Sequence, residues 1–165
     1  MADFSLADAR HLEAAEGWLG LGNPAEAKAE LDQVTPAQGG HPAMLELRWQ
    51  VHAAAGEWEP ALAAATALTC LRPKDPKGWV SRSFALHELK RTLEARDNLL
   101  PVINQFPKHA LMRYNLACYE SQLGNLPQAR QWLAKAFALP GGARLKATAP
   151  NDPDLGPLRD KINGV

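Results

Sequence analysis

The feature that most constrains this chain is a turn that recurs every 34 residues. The stretch GNPAEA at 22–27 resembles GNLPQA at 124–129, which begins three such periods later. GEWEPA at 56–61 and KRTLEA at 90–95 stand at the two positions between them. A fixed period of about 20 to 50 residues is typical of chains that are built from repeated supersecondary units.

Three sets of positions follow this period and together describe one unit. A small residue lies inside each second helix, a turn residue precedes it, and a helix-ending residue follows it. The small residues are Ala27, Ala61, Ala95 and Ala129, the turn residues are Gly22, Gly56, Lys90 and Gly124, and the helix-ending residues are Gly39, Pro73, Pro107 and Gly141. Glycine favours the left-handed conformation that ends a helix, and proline interrupts helical hydrogen bonding. Each unit is therefore predicted to be two helices joined by a short turn.

Over residues 8–143 the sequence resembles the tetratricopeptide repeat family, whose unit is a helix pair of this length. The first-helix aromatic of the family is kept as Trp79, and its leucine followed by a small residue is kept as Leu116 and Ala117. In the other copies the aromatic is replaced by His11, Leu45 and Arg113. The resemblance implies an all-α, right-handed α-solenoid of four stacked helix-turn-helix units. These units cover about 8–41, 42–75, 76–109 and 110–143.

The remaining residues, 144–165, break the period and form a predicted capping tail. Leu145 precedes the stretch TAPNDPD, and a second apolar group follows it, formed by Leu155, Leu158 and Ile162. We expect short helices near 143–149 and 153–161 that cover the exposed face of the last repeat. A flexible tail is the alternative. Residues 1–165 are predicted to form a single domain.

Capping residues predict where the helices begin. Ser5 with Asp8 matches a capping box before the first helix, and Asn23 is a suitable cap for the second. Asn125 with Gln128 forms a similar pair before the last second helix. The predicted helices are 6–21, 24–35, 42–55, 58–71, 76–89, 92–105, 109–123 and 126–138.

Charge and hydropathy exclude several classes of protein. Lys plus Arg and Asp plus Glu number 18 each, so the net charge is zero, and this argues against nucleic-acid binding. The chain has no basic leader followed by an apolar stretch and no run of about 18 apolar residues, so we expect neither a secretion signal nor a membrane span.

Cys70 and Cys118 are far apart and outside any CxxC motif. They are predicted to be two buried, reduced thiols in a cytoplasmic protein.

The sequence contains no recognisable arrangement for catalysis. The GxSxG, P-loop, HExxH and dinucleotide-binding motifs are all missing from it. The five histidines, His11, His41, His52, His87 and His109, do not pair at the spacing of three or four residues that a helical metal site requires. Cys118 has no neighbouring basic residue that would lower its pKa. We therefore expect no catalytic residue, no metal and no cofactor.

The resemblance implies a binding surface, because the first helices of tetratricopeptide proteins line a groove that holds a peptide or a partner's helix. The groove positions carried over by register are Leu12, Glu16, Glu46, Gln50, Lys77, Val80, Phe84, His87, Leu111, Tyr114 and Cys118. Their N-terminal part is acidic and their C-terminal part is apolar and aromatic. We expect a ligand with apolar anchors and a basic end. The alternative is that some of these residues fill the interior or contact the tail.

Arg48 and Arg82 stand out because they occupy equivalent positions, one repeat apart, where the family has an apolar residue. The first interpretation is a structural ion pair, with Glu46, Glu57 and Glu88 as candidate partners. The alternative is a basic spot that receives an acidic side chain or a C-terminus of a partner protein.

One known ligand of the family is disfavoured. Some members bind the C-terminal carboxylate of heat-shock chaperones through lysine, arginine and asparagine on three consecutive first helices. The corresponding residues are Leu12, Glu16, Leu47, Lys77 and Ser81 in the first three repeats, and Glu46, Gln50, Ser81, Leu111 and Asn115 in the last three. Neither set is cationic, and Glu16 and Glu46 would repel a carboxylate. We do not expect binding of a heat-shock chaperone tail.

The function implied by the resemblance is that of a protein-interaction scaffold or adaptor without enzyme activity. Its partner would be a protein or a peptide, not a nucleic acid or a membrane. A small secretion-type tetratricopeptide chaperone and a regulatory subunit of an enzyme complex are alternatives. Self-association into a homo-oligomer, with the groove filled by a neighbour's tail, is a third.

Overall fold

The described chain is helical throughout. In a computed structural model, the backbone is described for residues 4–164 and the side chains for residues 4–159. Over this range the α-helices are α1 (Leu6–Gly20), α2 (Pro24–Leu31), α3 (Pro42–Ala54), α4 (Trp58–Leu71), α5 (Pro76–Glu88), α6 (Thr92–Leu99), α7 (Ala110–Gln122), α8 (Leu126–Phe137) and α9 (Gly142–Thr148). Short 3₁₀ helices cover Pro36–Gln38, Ile103–Gln105 and Ala149–Asn151, and a longer one covers Pro153–Gly164. The all-α prediction is therefore confirmed. Among the described residues, none of the helices has the length and apolar content needed to cross a membrane.

The chain divides into two compact units, residues 1–85 and residues 86–165, and the boundary lies within α5. In unit 1, α1 packs against α2 and α3, α2 also packs against α3, and α3 packs against α4. In unit 2, α6 packs against α7, and α7 packs against α8. The 3₁₀ helix Pro153–Gly164 lies against both α7 and α8. That residues 1–165 form a single folding domain stays a prediction.

The predicted turn residue has the same left-handed conformation in all four copies. The φ angles are 75° at Gly22, 71° at Gly56, 63° at Lys90 and 82° at Gly124. In the first turn the backbone N–H of Asn23 donates to the carbonyl of Trp18 at 2.9 Å. The N–H of Gly22 donates to the carbonyl of Leu19 at 3.0 Å, and the same pair of hydrogen bonds recurs in the other three turns. This is the Schellman motif, so the 34-residue period is a feature of the backbone as well as of the sequence.

The alanines of the repeat period lie in the core. Ala27, Ala61, Ala95 and Ala129 have no exposed surface, and their small side chains allow neighbouring helices to approach closely. The main apolar cluster of unit 1 consists of Ala15, Ala27, Leu31, Val34, Met44, Leu47 and Val51. A second cluster joins α3 to α4 through Leu45, Ala64 and Leu68. Burial of each of these leucine or methionine side chains stabilises the fold by about 1.5–3 kcal/mol.

Two of the second helices end earlier than predicted. Helix α2 ends at Leu31, not near residue 35, and α6 ends at Leu99, not near residue 105. The backbone N–H of Thr35 donates to Oδ1 of Asp8 at 2.8 Å, so it is not available to extend α2. In the other connection Leu100 keeps a helical conformation, but Pro101 after it has no N–H to donate to a helical carbonyl.

The predicted caps are correct at the first two helices and wrong at α8. Oγ of Ser5 accepts a hydrogen bond from the N–H of Asp8 at 3.1 Å, and Asn23 caps α2 in the same way at 3.3 Å. Asn125 does not cap α8 with its side chain. Its Nδ2 instead donates to Oε2 of Glu120 at 2.7 Å. Pro127 occupies the second position of α8 and offers no N–H to a cap.

Ile162, which the sequence groups with Leu155 and Leu158, lies outside the residues whose side chains are described. The same holds for the last residues of the predicted capping tail. The described part of that tail begins with α9 at Gly142 and continues through two 3₁₀ helices. Its two short helical stretches therefore match the prediction in place, although the second is a 3₁₀ helix and not an α-helix.

Candidate functional site

The predicted groove positions of unit 1 differ in exposure. Glu16, Gln50 and Lys77 are exposed, and Val80 is partly buried. Leu12 is also partly buried and packs against the main apolar cluster of unit 1. Three of these five positions are therefore exposed to a ligand.

Phe84 is the aromatic residue of this set in unit 1. Its side chain is 39% exposed, and its ring lies 5.6 Å from the ring of Trp58 in an edge-to-face arrangement at 68°. Such pairs are worth about 0.5–1.5 kcal/mol beyond area burial, so Trp58 holds the phenyl ring in place. An exposed aromatic side chain with a fixed orientation is a typical anchor of a protein-binding surface.

Glu46 is less available as an acidic ligand contact than the sequence indicates. Its carboxylate lies 3.2 Å from the guanidinium of Arg72 and 3.9 Å from Nζ of Lys77. Lys77 is also a predicted groove position, so the structure brings these two positions of α3 and α5 together. The negative charge of Glu46 is balanced locally, and Glu16 is left as the exposed acidic residue of the predicted set.

Glu57, which the sequence offers as a partner for the two arginines, is bound by other side chains. Its carboxylate lies 2.9 Å from Nζ of Lys28 and 2.6 Å from Nδ1 of His52. The hydrogen bond from Lys28, followed by that from His52, lowers the pKa of Glu57. Arg48 lines a small cavity of about 250 Å³ together with Asp32, Leu45, His52, Pro60, Ala63 and Ala64. A role for Arg48 and Arg82 as a basic spot stays a prediction.

In unit 2 two of the three predicted groove positions of α7 are covered by the C-terminal tail. Tyr114 and Cys118 are 6% and 4% exposed. The 3₁₀ helix Pro153–Gly164 packs against α7, and its Leu155 and Leu158 are 0% and 1% exposed. A 3₁₀ helix has about three residues per turn, so these two leucines share one side of it. The chain's own segment therefore occupies this part of the predicted groove.

Polar contacts fix the tail at the same place. The hydroxyl of Tyr114 donates to Oδ2 of Asp152 at 2.7 Å. Nε2 of His87 lies 3.0 Å from Oδ2 of Asp154, and Nε2 of Gln122 donates to the carbonyl of Asp154 at 2.9 Å. Tyr114 and His87 are both predicted groove residues. The structure brings them together around two aspartates that the sequence analysis did not select.

The environment of Cys118 makes it unsuitable as a nucleophile. Burial, and then the carboxylates of Asp152 and Asp154, raise the pKa of the Cys118 thiol. Its Sγ lies 3.9 Å from Oδ2 of Asp152. Burial and the hydrogen bond to Asp152 likewise raise the pKa of Tyr114. Cys118 is buried as predicted, but Cys70 is exposed near the end of α4, so the prediction of two buried thiols is wrong for Cys70.

Cys118, Asp152 and Asp154 also form a group that could hold a metal ion. One ligand atom from each lies within 4.8 Å of the other two. However, both aspartates are already engaged, Asp152 by Tyr114 and Asp154 by His87. This arrangement therefore acts as the docking contact of the tail. Its residues come from α7 and from the tail, so a pattern of histidines on one helix does not indicate it.

Leu111, the last predicted groove residue, lies at the start of α7 and is 41% exposed. It lines an open cleft of about 610 Å³. The other lining residues are Lys108, His109, Ala110, Pro140, Gly141, Arg144, Leu145 and Thr148. Lys108 and Arg144 make this cleft basic.

Comparison with known proteins supports the fold. No protein-family model and no curated protein matches the sequence. Among solved structures, the chain is similar to one titled "MamA RS-1 ArsTM double mutant", a tetratricopeptide-like protein. The TM-score is 0.72 at 13% sequence identity, and the match covers 84% of this chain and 76% of that chain. The likeness shows an all-α fold of the tetratricopeptide-like solenoid class, as the repeat period predicts.

Proposed function

We propose that this chain is a cytoplasmic protein-interaction module without enzyme activity, a scaffold or adaptor that binds a peptide or helix of a partner protein. The observation that carries the proposal is Phe84, an exposed aromatic side chain held edge-to-face by Trp58. Accessible polar side chains at the equivalent register of α1 and α3, Glu16 and Gln50, provide hydrogen-bonding groups. A rigid aromatic anchor with accessible polar groups is the composition of a peptide-binding surface.

The raised pKa of the Cys118 thiol supports the non-enzymatic part of the proposal. A nucleophilic cysteine needs a lowered pKa, and this thiol is buried next to two carboxylates. The tetratricopeptide-like fold supports the binding part, because stacked helix pairs present extended surfaces to other proteins.

Site-specific photo-crosslinking tests the proposal. A photoreactive residue replaces Gln50 in the full chain, and cross-linked proteins from native lysate are identified by mass spectrometry. We expect a defined partner whose cross-linking falls about tenfold when Phe84→Ala is added, a loss of about 1.4 kcal/mol. Leu71→Ala is the matched control, because Leu71 is 54% exposed at the end of α4 and outside the predicted groove. Equal cross-linking in both variants would exclude Phe84 as an anchor.

A further inference from the structure

The C-terminal tail shows which chemistry the α7 face of unit 2 accepts. The segment DPDLGPL at 152–158 lies on this face. Leu155 and Leu158 are three residues apart, which is one turn of the 3₁₀ helix Pro153–Gly164, and Asp152 directly precedes that helix. The carboxylate of Asp152 meets Tyr114, and the two leucines are almost completely buried. The face therefore binds two leucines on one side of a short helix and an acidic group directly before that helix.

The polar groups on the two sides are complementary. The α7 face contributes donors, the hydroxyl of Tyr114 and the side-chain amide of Gln122. The segment contributes acceptors, the carboxylate of Asp152 and the backbone carbonyl of Asp154. The imidazole of His87 meets the carboxylate of Asp154. Hydrogen bonds to charged groups are stronger than neutral ones, so this set favours an acidic segment over a neutral one.

Among the residues whose side chains are described, segment 152–158 contacts the α7 face and His87 through its two leucines, its two aspartates and the backbone carbonyl of Asp154. Helix α9 leads into the segment, and most of its residues are exposed. Pro153 and Pro157 have no N–H and cannot donate backbone hydrogen bonds. The position of the seven-residue segment therefore depends mainly on its leucines and aspartates, together with the Asp154 carbonyl that accepts from Gln122. A second segment with the same side chains would make the same contacts.

We propose that the α7 face of unit 2 is a second binding surface and that a partner protein occupies it with an acidic, leucine-containing segment. That segment carries two aspartates separated by one residue, a leucine directly after them, and a second leucine three residues later. The tail occupies the face until the partner's segment replaces it. This inference rests on the proposed function, because it takes the chain to be a protein-binding module.

The test uses the full chain and a fluorescent peptide of residues 149–159, APNDPDLGPLR. The variant Leu155→Ser/Leu158→Ser releases the tail, and Cys70→Ser leaves Cys118 as the single thiol. Faster labelling of Cys118 reports release, and circular dichroism reports intact helices. We expect the released variant to bind the peptide about tenfold more tightly than the parent chain, because the face no longer has to be vacated. The peptide with D152N and D154N should bind about tenfold more weakly than the acidic one.

Two results would overturn the inference. The first is a released, helical variant that does not bind the peptide or does not distinguish its acidic from its amide form. The second is a dimer of the wild-type chain in which each copy receives the other's tail, since a second copy would then be the occupant. If the double variant loses helicity, Asp154→Asn replaces it, because this change keeps both leucines. Failure of the peptide test with cross-linking at Gln50 retained would leave the proposed function standing.

Discussion

Tyr114 and Asp152 lie 38 residues apart in sequence and share a hydrogen bond of 2.7 Å, in which the phenol donates to the carboxylate. The bond joins the middle of α7 to the residue that precedes the last 3₁₀ helix. It is also one of the contacts in which a predicted groove residue meets a residue of the tail. The bond therefore connects the repeated part of the chain with the part that breaks the repeat.

Removal of either partner should weaken the attachment of the tail. We expect a double-mutant cycle with Tyr114→Phe and Asp152→Ala to give a coupling free energy of about 1.5–3 kcal/mol, the range for hydrogen bonds to charged groups. Urea denaturation of the wild type, both single variants and the double variant measures it. Additive effects of the two substitutions would mean that the hydrogen bond contributes nothing to stability.

Gly142 should be sensitive to substitution although it lies in a helix. A β-carbon at this position would collide with the backbone carbonyl oxygens of Ala136 and Phe137. We expect Gly142→Ala to lower the free energy of unfolding by about 1–3 kcal/mol, as overpacking does elsewhere. Gly156→Ala is the control in the same tail, because a β-carbon there meets nothing within 4 Å. If both variants are equally stable, the close approach at Gly142 is not a constraint.

Two glycines at the end of α1 should respond to alanine in opposite directions. Neither Gly20 nor Gly22 has an atom within 4 Å of the added β-carbon, but only Gly22 has a positive φ, of 75°. Gly20→Ala should stabilise the chain by about 0.4–1 kcal/mol, because alanine loses less conformational entropy in a helix. Gly22→Ala should destabilise it by about 1–2 kcal/mol, the cost of a left-handed conformation.

Lys90 has φ 63°, so Lys90→Gly should relieve the same strain and stabilise the chain. Thermal unfolding of the three variants checks the three signs.

Asp8 should make stability depend on pH in the acid range. The backbone N–H of Thr35 and then the hydroxyl of Ser5 lower the pKa of Asp8 below its ordinary value of 3.8. The folded chain therefore holds this proton less tightly than the unfolded chain. The contribution of Asp8 is fully present above pH 3.8 and is lost as the pH falls through the lower pKa of the folded state.

Asp8→Asn tests this dependence. We expect the variant to be less stable than the wild type at pH 7, and the difference in free energy of unfolding to shrink below pH 3.8. Glu13→Gln is the control, because Glu13 is exposed on the same helix. A difference that stays constant down to pH 2 would show that the charge of Asp8 does not act through these hydrogen bonds.

The repeat and its turns could be predicted because they depend on neighbouring residues. In each copy a turn residue follows the first helix and an alanine lies inside the second, so the same local pattern recurs every 34 residues. Lys90 shows the strength of this pattern, because it adopts the conformation of the three glycines at its equivalent positions. The period thus predicted a turn at a residue whose own side chain disfavours the left-handed conformation that it adopts there.

The end of α2 and the docking of the tail could not be predicted in this way. Helix α2 ends where Thr35 is bound by Asp8, a contact between residues 27 positions apart. Asp152 and Asp154 stand in a proline-rich stretch that is typical of a turn, and nothing in their neighbours indicates Tyr114 or His87. Such contacts depend on the packed structure, which a period of local features does not specify.

The tail on α7 also sets the concentration that any other ligand of that face must reach in order to bind. A tethered segment is present at an effective concentration of about millimolar when its linker is short. A free segment with equal contacts therefore binds only when its own concentration is comparable or when it adds contacts that the tail lacks. Weak and accidental ligands are excluded by competition within the chain, and the length of the connection through α9 controls how strict this exclusion is.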